Sequence, residues 1–437
     1  MSKIAIIGAG IGGMAAAFDF VRAGHTVEIF EAADYVGGLA SGIKDPKWDW
    51  SVERYYHHWF QSDKHMLGLM EELGFRGDVI FPRPKTVAYH KGKFYPLDSP
   101  LAALTFPGYN LFGMIRFGLA TVYLRYLASW QQMEKHRAVD WMRRWYGEAV
   151  YKSLFEPLLA GKFGDHMNEV NMAWMWARLK ARSTRLGTFK GGFQAFADRF
   201  AESLRKLGVQ IHLSAPVSRI TPQADGRVQM DLPGGAQTFD RCLVTSSPAL
   251  LARLAPDLPK NYLSGLLSLK SMGAVVMILA LNHKLSEEGY YWFNLPKSAG
   301  YPFLALVEHT NFVSSENFGG EHIIYCGDYL DPEHEYFRLS DEELFERFLP
   351  GIQRFNPNFD RSWVRKIWVS KTAYAQPIPL VNHSRNIPDI RTPLKGLYFA
   401  SMSQVYPWDR GTNFAVEIGR RAAQMMLTDL NENQAVK

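Results

Sequence analysis

Gly8-Ala9-Gly10-Ile11-Gly12-Gly13 has the spacing G-x-G-x-x-G. It follows the short apolar run Lys3 to Ile7, of buried-strand type. It opens a helical pattern from Met14 to Ala23, which Gly24 ends as a C-terminal cap. Thr26 to Phe30 reads as a second strand, closed by Glu31. Each part has a physical purpose. Gly8 permits the tight turn out of the strand, Gly10 lets backbone approach a pyrophosphate, and Gly13 lets the helix pack closely on the strands. The helix N-terminus offers unpaired N–H groups and partial positive charge to phosphates. Glu31 stands about twenty residues on, where a carboxylate can accept hydrogen bonds from ribose hydroxyls. The ordered set predicts a dinucleotide-binding loop that includes Ile11 and Gly12. A glycine-rich turn in an unrelated α/β protein is the weaker reading.

Other residues with chemical potential are less patterned. His57 and His58 lie together in Glu53-Arg-Tyr-Tyr-His-His-Trp-Phe60. An imidazole can orient a substrate or move a proton near neutral pH. Each also has an ordinary reading as a hydrogen-bonded structural residue. Adjacent side chains on a strand point opposite ways, and no cluster of His, Cys and carboxylates accompanies the pair, so no metal site is expected. The two cysteines, Cys242 and Cys326, are too few for a disulfide framework or a four-ligand zinc site and fit a reducing, cytoplasmic compartment. Asp409 and Arg410 read as a loop salt bridge in preference to a pair at the reaction centre.

The motif continues as Glu31-Ala-Ala-Asp-Tyr-Val-Gly37-Gly38-Leu39. With this extension the chain resembles the FAD-binding amine oxidase superfamily, which includes protoporphyrinogen oxidases, phytoene desaturases and monoamine oxidases. The resemblance implies that Gly37 and Gly38 run along the pyrophosphate and flavin. Leu39 stands where the superfamily often has Arg, so one pyrophosphate-facing charge is missing. A second block is similar to the superfamily's central segment: Gly191-Gly192, a helical pattern with Phe196, Phe200, Leu204 and Leu207 on one face, the strand Val209 to Leu213, then Val217 before a hairpin. It implies that Val217 contacts adenine. In a third block a strand, Gly396 to Ala400, leads to an irregular loop and a helix opening at Gly411, with Thr412 or Asn413 as its N-cap.

The superfamily aims this last helix at the flavin N1/C2=O edge, which implies roles for Thr412, Asn413 and Phe414. Helix N–H groups there stabilise the negative charge of a reduced flavin. Ser401-Met402 replaces the usual Gly-Asp/Glu, leaving the Ser401 hydroxyl or backbone to meet the ribityl chain. The resemblance also places His57 near the flavin ring, and Lys371, Tyr374 and Gln376 near its face. The chain has no cysteine after Cys326, so the thioether bond of some monoamine oxidases has no sulfur here, and non-covalent FAD is expected.

These residues need a scaffold, and 437 residues at 47% hydrophobic and 21% charged supply a large core. The expected fold is α/β. A Rossmann-like FAD-binding domain is assembled from segments 1–75, 186–254 and 386–437. Segments 76–185 and 255–385 form an inserted substrate domain of mixed sheet plus helices. In the second insert, Met272 to Leu281 reads as a buried strand, followed by hairpins around Tyr290 to Phe293 and Ile323 to Tyr329. Net charge is +6, but the basic residues are scattered, so no nucleic-acid partner is expected. Leu111 to Trp130 is apolar with Arg116 and Arg125 embedded. It reads first as a substrate-domain helix with its basic face in solvent, and second as an interfacial helix giving peripheral membrane contact. Ile4 to Ile7 is too short for a signal-peptide core, and no run of eighteen apolar residues suggests a membrane span.

The expected activity is FAD-dependent removal of a hydride from a C–H bond, next to nitrogen or a conjugated carbon. The aromatic content favours an apolar substrate, with oxygen or a quinone as electron acceptor. Two rivals stand beside it: a redox-neutral flavoenzyme resembling UDP-galactopyranose mutase, and a binding protein resembling the Rab GDP-dissociation inhibitors.

Overall fold

The computed structural model describes residues 1–181 and 183–435, so Arg182 and the last two residues of the predicted 386–437 segment lie outside the described residues. The glycine loop leaves a five-stranded parallel sheet with the order Gln210–His212, Thr26–Phe30, Lys3–Ile7, Arg241–Val244, Leu397–Phe399. Runs of Ile, Val, Leu and Phe suit strands covered on both faces, and Ile4, Ile6, Val27, Ile29, Leu243 and Phe399 are fully buried. Successive strands lie to one side of Lys3–Ile7 until residue 212, then to the other. Such a reversal leaves a crevice beyond the carboxyl ends of the strands.

The helices Ile11–Arg22 and Thr412–Ala435 pack against each other beside this sheet. Their contact is backbone on backbone. A Cβ at Gly419 would overlap the carbonyl of Gly12, and one at Gly12 would lie 2.9 Å from the carbonyl of Ala415. The glycine pair therefore sets two helix N-termini side by side. The helix Gly192–Lys206 buries Phe193, Phe196, Phe200 and Leu204 against the same core. Leu207, expected on that face, follows the last helical turn and is 47% exposed.

A seven-stranded mixed sheet has the order Val364–Pro377, Ser271–Leu281, His322–Leu330, Ala305–Glu308, Trp292–Asn294, Thr86–His90, Lys93–Pro96. All neighbours are antiparallel except Trp292–Asn294 with Thr86–His90. The strand Ser271–Leu281 is the second of the seven and is buried from Met272 to Leu281. Its register against Val364–Pro377 slips: Met272 pairs with Gln376 and Ala274 with Thr372, so Gly273 faces the three residues Ala373, Tyr374 and Ala375. Gly is needed in this bulge, because a Cβ would lie 2.7 Å from the carbonyl of Thr372.

Helices between residues 100 and 181 cover one side of this sheet around Trp141, Tyr146, Tyr151 and Phe163. The expected Leu111-to-Trp130 helix is broken. An α-helix spans Leu111–Val122, a π-type turn spans Tyr123–Leu127, and Ser129 leaves helical geometry to cap a new helix, Trp130–Met133, by accepting a bond from the Gln132 N–H. The face it leaves in solvent is largely apolar, with Arg125 exposed beside it.

Candidate functional site

A cavity of about 510 Å³ crosses the carboxyl edge of the parallel sheet and reaches the mixed sheet. Its first part is built from backbone. Gly8, Gly10, Ile11, Gly12, Gly13, Gly37, Gly38 and Leu39 all line it. Gly8 has φ 106°, the left-handed region that suits Gly, and a Cβ there would press the Thr245 hydroxyl at 2.7 Å. Gly10 faces open space: a Cβ would meet nothing within 4 Å. Gly38 approaches so closely that its Cβ would lie 3.2 Å from the Gly10 Cα. The helix starting at Ile11 has no side-chain cap and no acid in its first turn, so its leading N–H groups are left for an anion.

Glu31 accepts from the Ala9 N–H at 2.8 Å and the Ala33 N–H at 2.9 Å, one bond per carboxylate oxygen. That ties the acid to the loop while each oxygen keeps a second lone pair for a hydroxyl. Open room before Gly10, an uncapped helix and an anchored carboxylate fit a pyrophosphate beside a ribose. Val217 lines the same cavity. Thr245, which sequence reasoning missed, donates to the Ile7 carbonyl at 2.9 Å and lines the cavity too. Its signal was its place directly after a strand of the same sheet.

The start of the last helix departs from expectation. Thr412 is its first residue, not a cap, and its hydroxyl accepts from the buried Trp59 indole at 2.8 Å. Asn413 caps a different helix: its Oδ1 accepts from the N–H groups of His65 and Met66 at 2.9 and 3.1 Å, at the head of Lys64–Glu72. Asp63, the local candidate for that cap, is turned back to the Phe60 N–H. Phe414 stacks on Trp408 with rings 8° apart, and its N–H donates to the Gly411 carbonyl. Thr412 lines the cavity; Asn413 and Phe414 do not. Ser401 lines it as well, with its N–H donating to Gln404 and its hydroxyl accepting from the Ser403 N–H.

At the mixed sheet the cavity wall is made of side chains. Lys371 is turned away from it. It pairs with Val275, on the opposite face from Ala274 and Val276, and its ammonium donates to the Leu339 carbonyl. Gln376 does not line the cavity either; it donates to Asp409 and accepts from Arg410 Nε at 3.1 Å. Tyr374, the third residue expected here, does line the wall, together with Thr372 and Ala375. Lys371 is turned away by plain strand alternation, and the bulge puts Ala375 on the wall where alternation alone would put Gln376.

Asp409 and Arg410 are not an exposed pair. Asp409 is joined to Arg178, Nη1 to Oδ2 2.9 Å, and Arg178 lies over the Trp174 ring. Burial alone would raise the Asp409 pKa, but Arg178 and Arg410 outweigh it and hold the carboxyl at about 2. Arg410 faces the cavity, held by Gln376 and by the Tyr329 hydroxyl. Of its five N–H donors, two have protein partners among the described residues. His57 lines the cavity, and burial lowers its pKa to about 4. Its Nδ1 donates to the Tyr55 carbonyl, so the ring is neutral near pH 7 and keeps Nε2 as an acceptor. His58 turns the other way, to the Tyr291 hydroxyl. No metal-holding group of three His, Cys, Asp or Glu occurs among the described residues.

Comparison with known proteins gives a consistent picture. Residues 11–427 match a family model described as flavin containing amine oxidoreductase. A 15-cis-phytoene desaturase of Synechococcus elongatus is 22% identical across 99% of this chain and 97% of its own. The flavin-containing amine oxidase A of Sus scrofa is also 22% identical, across 99% of this chain and 86% of its own. Among solved structures, an oxidoreductase from Methanosarcina mazei shares the fold with a TM-score of 0.76 at 18% identity, covering 97% of this chain and all of that one.

Proposed function

Because this chain belongs to the flavin-containing amine oxidoreductase family and is an FAD-dependent oxidoreductase, we propose that it oxidises a C–N or C–C bond of a largely apolar small molecule. FAD, held without a covalent link, supplies the hydride acceptor at its N5 atom. The observation that carries this reading is the single cavity running from the Gly10–Glu31 loop to a wall of Tyr55, Tyr56, Ala274, Val276 and Ala375. Segments 1–75, 186–254 and 386–437 are assigned to the cofactor side, and 76–185 with 255–385 to the substrate side.

Within this assignment the glycine loop and first helix hold the pyrophosphate, Glu31 a ribose, and Val217 the adenine. The start of the Thr412–Ala435 helix faces the flavin, with the Ser401 hydroxyl beside the ribityl chain. Apolar and aromatic groups strip water from the substrate body. Arg410 offers its remaining donors to an oxygen or anionic group at one end of the substrate, and Gln376 and Tyr329 hold the guanidinium in place. His57 orients substrate through Nε2 and is not charged enough to protonate it. Lys371 has no part in the chemistry. Oxygen or a quinone takes the electrons afterwards.

A redox-neutral reaction on a nucleotide sugar would call for two arginines facing the cavity. Arg253 and Arg410 both line it, but Arg253 stands on the helix Pro248–Leu254, which clusters with Val217. Arg178, beside Arg410, is committed to Asp409 and does not line it, so no pair meets at one end. A pure binding role leaves the anchored Glu31 without purpose. The test is the visible spectrum of the purified protein, then heat release of the chromophore, then anaerobic bleaching with amines, polyenes and porphyrinogens. The reading expects flavin bands, FAD in the supernatant and bleaching by an apolar compound. A protein that binds FAD but bleaches with none of these, and turns over only after prior reduction, would overturn it.

A further inference from the structure

We propose that the outer face of residues 111–127 docks the protein on an anionic lipid bilayer. Leu111, Phe112, Leu119, Tyr126 and Leu127 are between 66% and 75% exposed, and Trp145 beside them is 52% exposed. The spacing of 111, 115, 119, 122 and 126 keeps one stripe of the helix and its π-type continuation in solvent. An isolated exposed Leu is ordinary, but a contiguous apolar stripe marks an interaction surface. No helix among the described residues is long and apolar enough to cross a membrane, so the geometry is that of a helix lying in the interface.

Charge selects the occupant. Ser99 to Met133 contains no Asp or Glu, but it contains Arg116 and Arg125. Arg116 donates to the carbonyls of Trp145 and Arg144, and Arg125 to that of Leu179 at 2.7 Å. Carbonyls fix these guanidinium groups without neutralising them. Arg144 adds a third positive charge next to Trp145, and none of the three has a carboxylate partner among the described residues. An apolar stripe with Tyr and Trp at headgroup level and uncompensated arginines at its rim suits lipid chains below anionic phosphates. Two copies of the face would bring like charges together, which argues against a symmetric dimer. On its inner side the same helix places Phe117, Ala120 and Leu124 in a cluster with Ala274, Tyr329 and Ala375, which line the cavity.

The test is co-sedimentation of the flavin-loaded protein with vesicles of phosphatidylcholine mixed with phosphatidylglycerol, against pure phosphatidylcholine. The wild type should bind the mixed vesicles at least about tenfold better at low salt, and added salt should weaken that preference. Leu119→Glu with Tyr126→Glu should abolish binding while flavin content stays at the wild-type level. Arg125→Gln with Arg144→Gln should cost about fivefold per arginine on the mixed vesicles alone. A wild type that ignores both vesicles would overturn the proposal. So would a pair of Glu variants that bind as the wild type does, or a concentration-dependent dimer that those variants dissolve in the absence of vesicle binding. None of these outcomes touches the spectral test of the flavin reading.

Discussion

The two ends of the cavity are built from different materials. The nucleotide end is backbone: glycines that admit close approach, a helix N-terminus without a cap, and one acid tied down by two N–H groups. The substrate end is side chain: a guanidinium held by a glutamine and a tyrosine, next to a buried Arg–Asp pair, behind a strand with a bulge. Backbone geometry is common to every ligand that carries a pyrophosphate, so the first end can stay the same while the second changes. A 22% identical desaturase and an equally distant amine oxidase, both matched along nearly this whole chain, fit that division.

Substitutions can break the comparison at either end. Gly13→Val should have the largest effect, because a Cβ there overlaps the Gly8 carbonyl. The loop cannot close, and the purified protein should carry no flavin by its visible spectrum. Arg410→Met should do the opposite. Flavin should remain, and kcat with the best bleaching substrate should drop by about 100-fold, the scale of one lost electrostatic donor. Equal loss of flavin in both variants would erase the distinction between the two ends.

Gln376→Leu should sharpen it. Removing the bond that steadies Arg410 Nε should cost about tenfold in kcat/KM, while Lys371→Met, on the far face of the strand, should leave steady-state rates unchanged. Asn413→Ala probes the cap that the last helix lends to Lys64–Glu72. Chemical denaturation should show a loss of about 1 kcal/mol, with the flavin spectrum intact.

The smallest effect concerns two carboxyls, Asp328 and Asp409, whose surroundings push them in opposite directions. Burial pushes Asp328 up to about 7, and its Oδ1 has no hydrogen-bond partner. A carboxyl whose folded pKa is raised stabilises the protein fully at pH values below its unfolded pKa, and that contribution is lost as pH rises through about 7. Asp328→Asn should therefore raise the melting temperature by roughly 2 °C at pH 8 and leave it unchanged at pH 4. Asp409, held at about 2 by its arginines, keeps its charge across this range and gives no such slope.

Reading from sequence succeeded where chemistry and neighbours coincide. Gly8 to Glu31 lie within one strand–turn–helix–strand unit, so each residue's place follows from spacing, and Gly8, Gly10, Gly12 and Gly13 line the cavity. It failed where a side chain's partner lies far along the chain. Lys371 and Gln376 were expected at the flavin face because of their position before the last block. Tyr374, expected with them, does line the wall; plain alternation turns Lys371 away, and the bulge opposite Gly273 puts Ala375 there in place of Gln376, which no local pattern announces. Asn413 was expected to serve its own helix, but its amide bonds a helix 348 residues earlier in the chain.

The amino-acid order alone decides that a glycine loop between strand and helix forms at Gly8–Gly13 and that an acid follows it, because local backbone sterics and a short strand–helix unit suffice. The pairing of Arg178 with Asp409, the turning of Arg410 to the cavity and the exposure of the apolar face of Leu111–Val122 arise only on folding. Each depends on which distant segment packs alongside, and a buried charge or an uncovered stripe has no local signature.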